Sequence, residues 1–226
     1  MKRLNVLVAC EESQAVCKEF RRLGHRAFSC DLQPAMIYDH LEWHIMDDAL
    51  SVINGNCTFF TMDGKEHTQE GKWDLLIAHP PCTYLTCAGA ANIPKDPSRI
   101  EKGFEAKEFF MQFINADCDR IAVENPVPMA RFEMPKYTQI IHPYEFGHRV
   151  AKRTCLWLKN IPPLKPTQII QLTDDDFSPV RYYKGLKKRE SKWYNHGGSK
   201  WRSKTFPGIA QAMAEQWSKY ILEHEE

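Results

Sequence analysis

A chain of 226 residues that is 43% hydrophobic can bury a sizeable core as one domain, which excludes general disorder. A formal charge of +1 excludes a global field that would draw a polyanion, so any nucleic-acid surface must come from local clustering. The eight cysteines form no CxxC pair, there is no apolar run of spanning length, and the chain starts without a signal-like segment. The expectation is a soluble cytoplasmic protein with reduced thiols, no metal and no membrane partner.

In chain order, residues 4–9 predict a β-strand. Residues 14–23 predict a helix, with Val16, Cys17, Phe20 and Leu23 at helical spacing and Gly24 closing it. Residues 26–30 predict a second strand that ends at Asp31. A βαβ unit with such tight loops implies a right-handed crossover and a parallel sheet. A short third strand is expected between 44 and 48. Residues 54–72, rich in glycine, threonine and charge, read as a surface excursion without assigned structure.

The run Leu75-Leu76-Ile77-Ala78 predicts a buried strand, and it stops at His79-Pro80-Pro81-Cys82. Proline fixes its own φ and pushes the preceding residue toward extended geometry, so Cys82 sits on a stiff strand end. A helix follows over 99–115, carrying Phe104, Phe109, Phe110 and Phe113 on one broad side. The strand 120–123 then ends in a similar way at Glu124-Asn125-Pro126. Further strands are predicted at 139–142 and 154–159, and a last helix at 209–222 with Met213, Trp217 and Ile221 along one face.

Open α/β sheets bind ligands outside the carboxyl ends of their strands, so Cys82 and Glu124 face one cleft if their strands are neighbours. A buried, inert thiol is the other reading of Cys82. Asp31, at the end of a second strand, stands where a ribose is commonly held, or else caps a turn. The glycine-rich turn that binds a pyrophosphate is missing. In its place Cys10-Glu11-Glu12-Ser13-Gln14 puts two carboxylates near a helix N-terminus, which disfavours NAD, FAD and ATP and is compatible with a cationic, phosphate-free cofactor such as S-adenosylmethionine. Residues 181–204 hold nine basic residues against the single acid Glu190, interleaved with tyrosine and tryptophan. That is the composition of a nucleic-acid-contacting face, or of a solvated loop with docked aromatics.

His79-Pro80-Pro81-Cys82, Glu124-Asn125-Pro126 and the opening βαβ unit ending in Asp31 together resemble the DNA cytosine-5 methyltransferase family, most closely its short phage and mobile-element forms. The resemblance spans residues 6–158 and 203–217. It implies an α/β fold: a Rossmann-like methyltransferase sheet with helices on both faces and a small basic appendage, as one domain over 1–226 with a reduced target-recognition-like segment at 162–204. It implies cytosine C5 methylation of DNA with S-adenosylmethionine, in a bacterial or phage-infected cytoplasm. Cys82 would be the nucleophile, Glu124 the acid gripping the base and Asn125 the brace of the loop. Arg153, or else Lys152, would contact the base. The cofactor pocket would draw on Cys10, Glu11, Ser13, Asp31, Asp47, Pro80 and Gly208, the last within Thr205-Phe206-Pro207-Gly208. Lys187, Lys188, Arg189, Lys192 and Arg202 would contact DNA. The same chemistry on RNA or a cytosine nucleotide, or a non-catalytic nucleic-acid-binding relic, are the alternatives.

Overall fold

An unbroken apolar run has no polar face to turn to water, so it is stable only in the interior of a sheet covered on both sides. Val6-Leu7-Val8-Ala9 is such a run, and it forms the buried strand β1 (Asn5–Ala9). The computed structural model describes residues 2–36, 38–183, 186–188, 190–195, 198 and 203–224. After β1 come β2 (Arg26–Asp31), β3 (His44–Met46), β4 (Cys57–Phe60), β5 (Glu66–Gln69), β6 (Leu75–Ala78), β7 (Ile121–Pro126), β8 (Gln139–Ile141), β9 (Thr154–Lys159), β10 (Arg181–Tyr183) and β11 (Leu186–Lys188). The main helices are α1 (Ala15–Arg22), α2 (Arg99–Ile114) and α3 (Pro207–Glu223).

Seven strands make one sheet in the order β3-β2-β1-β6-β7-β9-β8. The first five are mutually parallel, and β9 runs antiparallel between β7 and β8. Alternate residues of β1 face opposite sides, as the two-residue strand period requires. Leu7 and Ala9 join a core with Phe110 and Phe113 of α2, whereas Val6 and Val8 join one with Phe20 of α1 and Met213 and Trp217 of α3. This is a Rossmann-like α/β sheet with helices on both faces. Burying each large apolar side chain contributes about 1.5–3 kcal/mol, and Phe20, Phe110, Phe113 and Trp217 are all fully enclosed. Trp217 also donates its indole N–H to the Pro162 carbonyl at 3.0 Å, tying α3 to the chain that leaves β9.

Two expectations need correction. Residues 54–72 are not an unstructured excursion: they contain the β4–β5 hairpin, and its Phe59 is buried against Phe28 with ring centroids 5.0 Å apart. Gly55, at φ +67°, allows the hairpin base to close, because a Cβ there would strike the Gly71 carbonyl. The second correction concerns α2. Phe104 is 47% exposed, so the buried side is narrower than the four phenylalanines suggest and centres on Phe110 and Phe113.

The chain moves from β1 outward through β2 and β3, then returns to the other side of β1 with β6 and β7. The reversal falls between β1 and β6, which places a crevice outside their carboxyl ends.

Candidate active site

β6 and β7 are adjacent and parallel, with Ala78 opposite Val123. The next residues on each strand are therefore neighbours, and their side chains meet: His79 Nδ1 and Glu124 Oε2 are 3.1 Å apart. His79 is 10% and Glu124 15% exposed, so this pair is largely withdrawn from water. Burial alone would lower the imidazole, but the hydrogen bond and charge of Glu124, with the charge of Glu11, hold His79 above its ordinary value. Burial likewise pushes Glu124 up, and the His79 hydrogen bond, together with the charges of His79 and Lys152, brings it below the usual carboxylate range. Both shifts favour the charged forms, imidazolium against carboxylate.

The Pro80-Pro81-Cys82 turn leaves β6 beside this pair. Asn125 is 2% exposed and donates its side-chain amide to the Pro80 carbonyl at 2.8 Å, clamping the turn to β7. The Cys82 carbonyl accepts the amides of Leu85 and Thr86, both at 3.2 Å, which holds the other end of the turn. Cys82 itself is half-buried. Burial, then the Glu124 charge, raises its thiol, and Lys152 opposes both. A thiol and a carboxyl group thus sense each other across one strand gap, although 42 residues separate them in sequence.

Of the two basic candidates, the fold brings Lys152 to this cluster and not Arg153. Side chains alternate along the approach to β9: Lys152 and Thr154 line a small cleft of about 10 Å³ with Glu124, Phe206, Ile209 and Met213. Arg153 is exposed, and its charge acts on His142 and Cys155. Lys152, the alternative to Arg153, is thus the residue that shares a cleft with Glu124.

On the other side of the crevice stands Glu11, held by the chain itself. Its side chain is buried, and its two oxygens accept the amides of Val16 (2.6 Å) and Cys17 (3.2 Å), capping α1. Desolvation raises Glu11 to about 7, against the lowering influence of His79, of these amides and of Lys18. Ser13 Oγ accepts the Ala15 amide at 3.4 Å, and Cys10, at φ 57° on the end of β1, has its thiol raised chiefly by burial. Asp31 Oδ1 accepts the Gln33 amide at 2.9 Å at the end of β2, and Asp47 lies exposed just past β3. Pro80 is buried at the end of β6. Gly208 opens α3, where its amide donates to His148 Nε2 at 3.0 Å. Lys192 is exposed; Arg189 and Arg202, and the side chains of Lys187 and Lys188, lie outside the described residues.

Sequence reasoning missed one member of the cluster. His79 stands in the quoted motif without a role, and its signal was position: the first residue past a buried strand, one strand away from the first residue past another. A larger cleft of about 510 Å³, lined by Lys2, Arg3, His25, Ser218 and Lys219, lies at the amino ends of β1 and β2 and holds none of these groups. Mutually perturbed titratable groups are the stronger mark of a site, and they gather at the carboxyl edge. Among the described residues no cluster of side chains could hold a metal ion, and no helix is long and apolar enough to cross a membrane.

The sequence matches no family model and no curated protein. Among solved structures the chain is similar to the Entamoeba histolytica methyltransferase EhMeth (11% identity, TM-score 0.39, 79% of this chain and 64% of that one). It is also similar to the S. pombe Dnmt2 methyltransferase (15% identity, TM-score 0.39, 77% of this chain and 53% of that one). This chain thus spans less than two thirds of the length of either. The fold assignment rests on the strand order and register, not on these likenesses.

Proposed function

We propose that this protein is an S-adenosylmethionine-dependent methyltransferase acting on C5 of cytosine in DNA. The observation that carries this reading is the convergence of the Cys82 turn and Glu124 on adjacent strand ends, close enough for the carboxylate to shift the thiol.

The donor set at the crevice fits the cofactor. Glu11 occupies the N-terminus of α1, where a pyrophosphate would otherwise bind, so the site suits a ligand without phosphates. Asp31 and Asp47 stand at successive strand ends, suited to ribose hydroxyls and an adenine amine, and their charge favours a cationic ligand. When bound, S-adenosylmethionine supplies an electrophilic methyl group.

Cytosine C5 is a poor nucleophile until a sulfur adds to C6. In this reading the Cys82 thiolate forms the S–C6 bond, while Glu124 delivers a proton to N3 and stabilises the enamine. Carbon 5, so activated, would be the atom that accepts the methyl group; the C5 proton would leave to solvent, and expulsion of Cys82 would restore the ring. Asn125 holds the Pro80 carbonyl, and so the turn, at a fixed distance from Glu124. Lys152 lines a cleft with Glu124, and its charge opposes the rise of the thiol. A base inside a duplex cannot reach this pair, so the nucleotide is flipped out or supplied single-stranded.

Incubation with tritiated methyl donor and cytosine-containing DNA tests the reading. Label at C5 that disappears in Cys82→Ser is expected. Label on RNA or a free cytosine nucleotide alone would replace DNA as the substrate, and no label on any of them would overturn the function.

A further inference from the structure

We propose that His79 is a positioning residue that shares one proton with Glu124 and supplies the proton Glu124 presents to the pyrimidine. This rests on the cytosine reading of Cys82 and Glu124 above.

The geometry sets the terms. His79 Nδ1 lies 3.1 Å from Glu124 Oε2, both side chains are nearly enclosed, and the buried His79 Nε2 has no hydrogen-bond partner among the described residues. A carboxylate that must protonate N3 needs a proton source, and an enclosed Glu124 has poor access to bulk water. The only side chain hydrogen-bonded to it among the described residues is the imidazole. The groups facing the pair from the packed elements are Glu11 at the start of α1, Cys82 on the β6 turn, Lys152 ahead of β9 and Cys155 within β9.

The ion pair (Nδ1–H⁺ and carboxylate) and the neutral pair (bare Nδ1 and carboxylic acid) contain the same number of protons. Passing from one to the other needs no exchange with solvent. As the Cys82 thiolate forms its bond to C6, the Nδ1 proton moves to Glu124 and the Glu124 proton to N3; His79 is left neutral. When the S–C6 bond breaks, N3 returns its proton to Glu124, which returns it to Nδ1. The thiol proton itself leaves to solvent at the half-buried sulfur.

Two measurements test this, one of them independent of turnover. In the free wild-type protein, ¹⁵N spectra of His79 should show an imidazolium persisting above the pH at which an ordinary histidine titrates, and Glu124→Gln should return it to neutral at pH 7. A neutral His79 beside an ionised Glu124 in wild type at pH 7, the latter read from its side-chain ¹³C shift, would overturn the proposal whatever the enzyme does. For turnover, His79→Asn retains an N–H donor at the Nδ1 position but cannot release its proton. Single-turnover methylation should fall ~10²-fold or more at pH 8. The deficit should shrink toward pH 5, where Glu124 takes its proton from solvent, so the alkaline limb of the profile moves to lower pH. A uniform loss at every pH, with the limb unmoved, would mean that His79 only holds the turn in place, and the proposal fails. A wild type that labels no cytosine substrate overturns the function and proton delivery with it, while a protonated His79 in that same protein would leave the ion pair standing as a separate fact.

Discussion

The Glu11 carboxylate accepts the Val16 amide at 2.6 Å from a fully buried position, so the cap of α1 is a group that titrates. An acid raised to about 7 when folded binds protons that the unfolded chain has already released above its ordinary value of 4.5. The folded state is then favoured at low pH, and stability falls as pH rises from about 4.5 to about 7. Glu11→Gln keeps an acceptor for the Val16 amide and removes the titration. Urea unfolding should find the variant more stable than wild type by about 2–3 kcal/mol at pH 8 and level with it at pH 4.

Glu124→Gln should make Cys82 more reactive. Burial opposes the thiolate more than the Glu124 charge does, so the gain is partial: alkylation by iodoacetamide at pH 8 should quicken roughly threefold to tenfold. Peptide mass spectrometry reads each site separately. Exposed Cys87 serves as the internal reference, and its rate should not change.

Asn125→Ala should cost more in activity than in stability. It leaves the buried Pro80 carbonyl without its 2.8 Å donor, a loss of about 1–3 kcal/mol in thermal unfolding. Methyl transfer should drop ~10²-fold, because the Cys82 turn is no longer held against β7. Equal loss in folded fraction and in turnover would mean that Asn125 only stabilises the fold.

Gly208→Ala should destabilise the start of α3. A Cβ there collides with the Phe146 carbonyl, a backbone atom that cannot rotate aside, and crowds His148. Overpacking of this kind costs about 1–3 kcal/mol, measurable as a lowered melting temperature. Because Thr205, Phe206 and Ile209 line the cleft that holds Glu124 and Lys152, methyl transfer should weaken along with stability.

That Cys82 and Glu124 close buried strands was legible in the sequence. Residues past an apolar run and before a proline have few conformations open to them, so the placing of Cys82 and Glu124 at strand ends follows from local sterics. The β4–β5 hairpin was not legible, since Phe59 is its only large apolar side chain buried in the core and its three glycines read as loop. Arg153 against Lys152 was also beyond a reading of sequence. Which of two adjacent residues faces Glu124 is settled by the register in which β9 pairs with β7, Asn125 opposite Cys155 and Pro126 opposite Thr154.

By itself, then, the amino-acid order determined the elements, the βαβ opening and which residues end the strands, because periodicity and proline act within a few residues. Only the tertiary structure decided who meets whom. It set Glu11 over the first turn of a helix as its cap, and it gave Glu124 a histidine for a partner. Both outcomes depend on strand order and burial, which arise from contacts between segments tens of residues apart and leave no local trace in the chain.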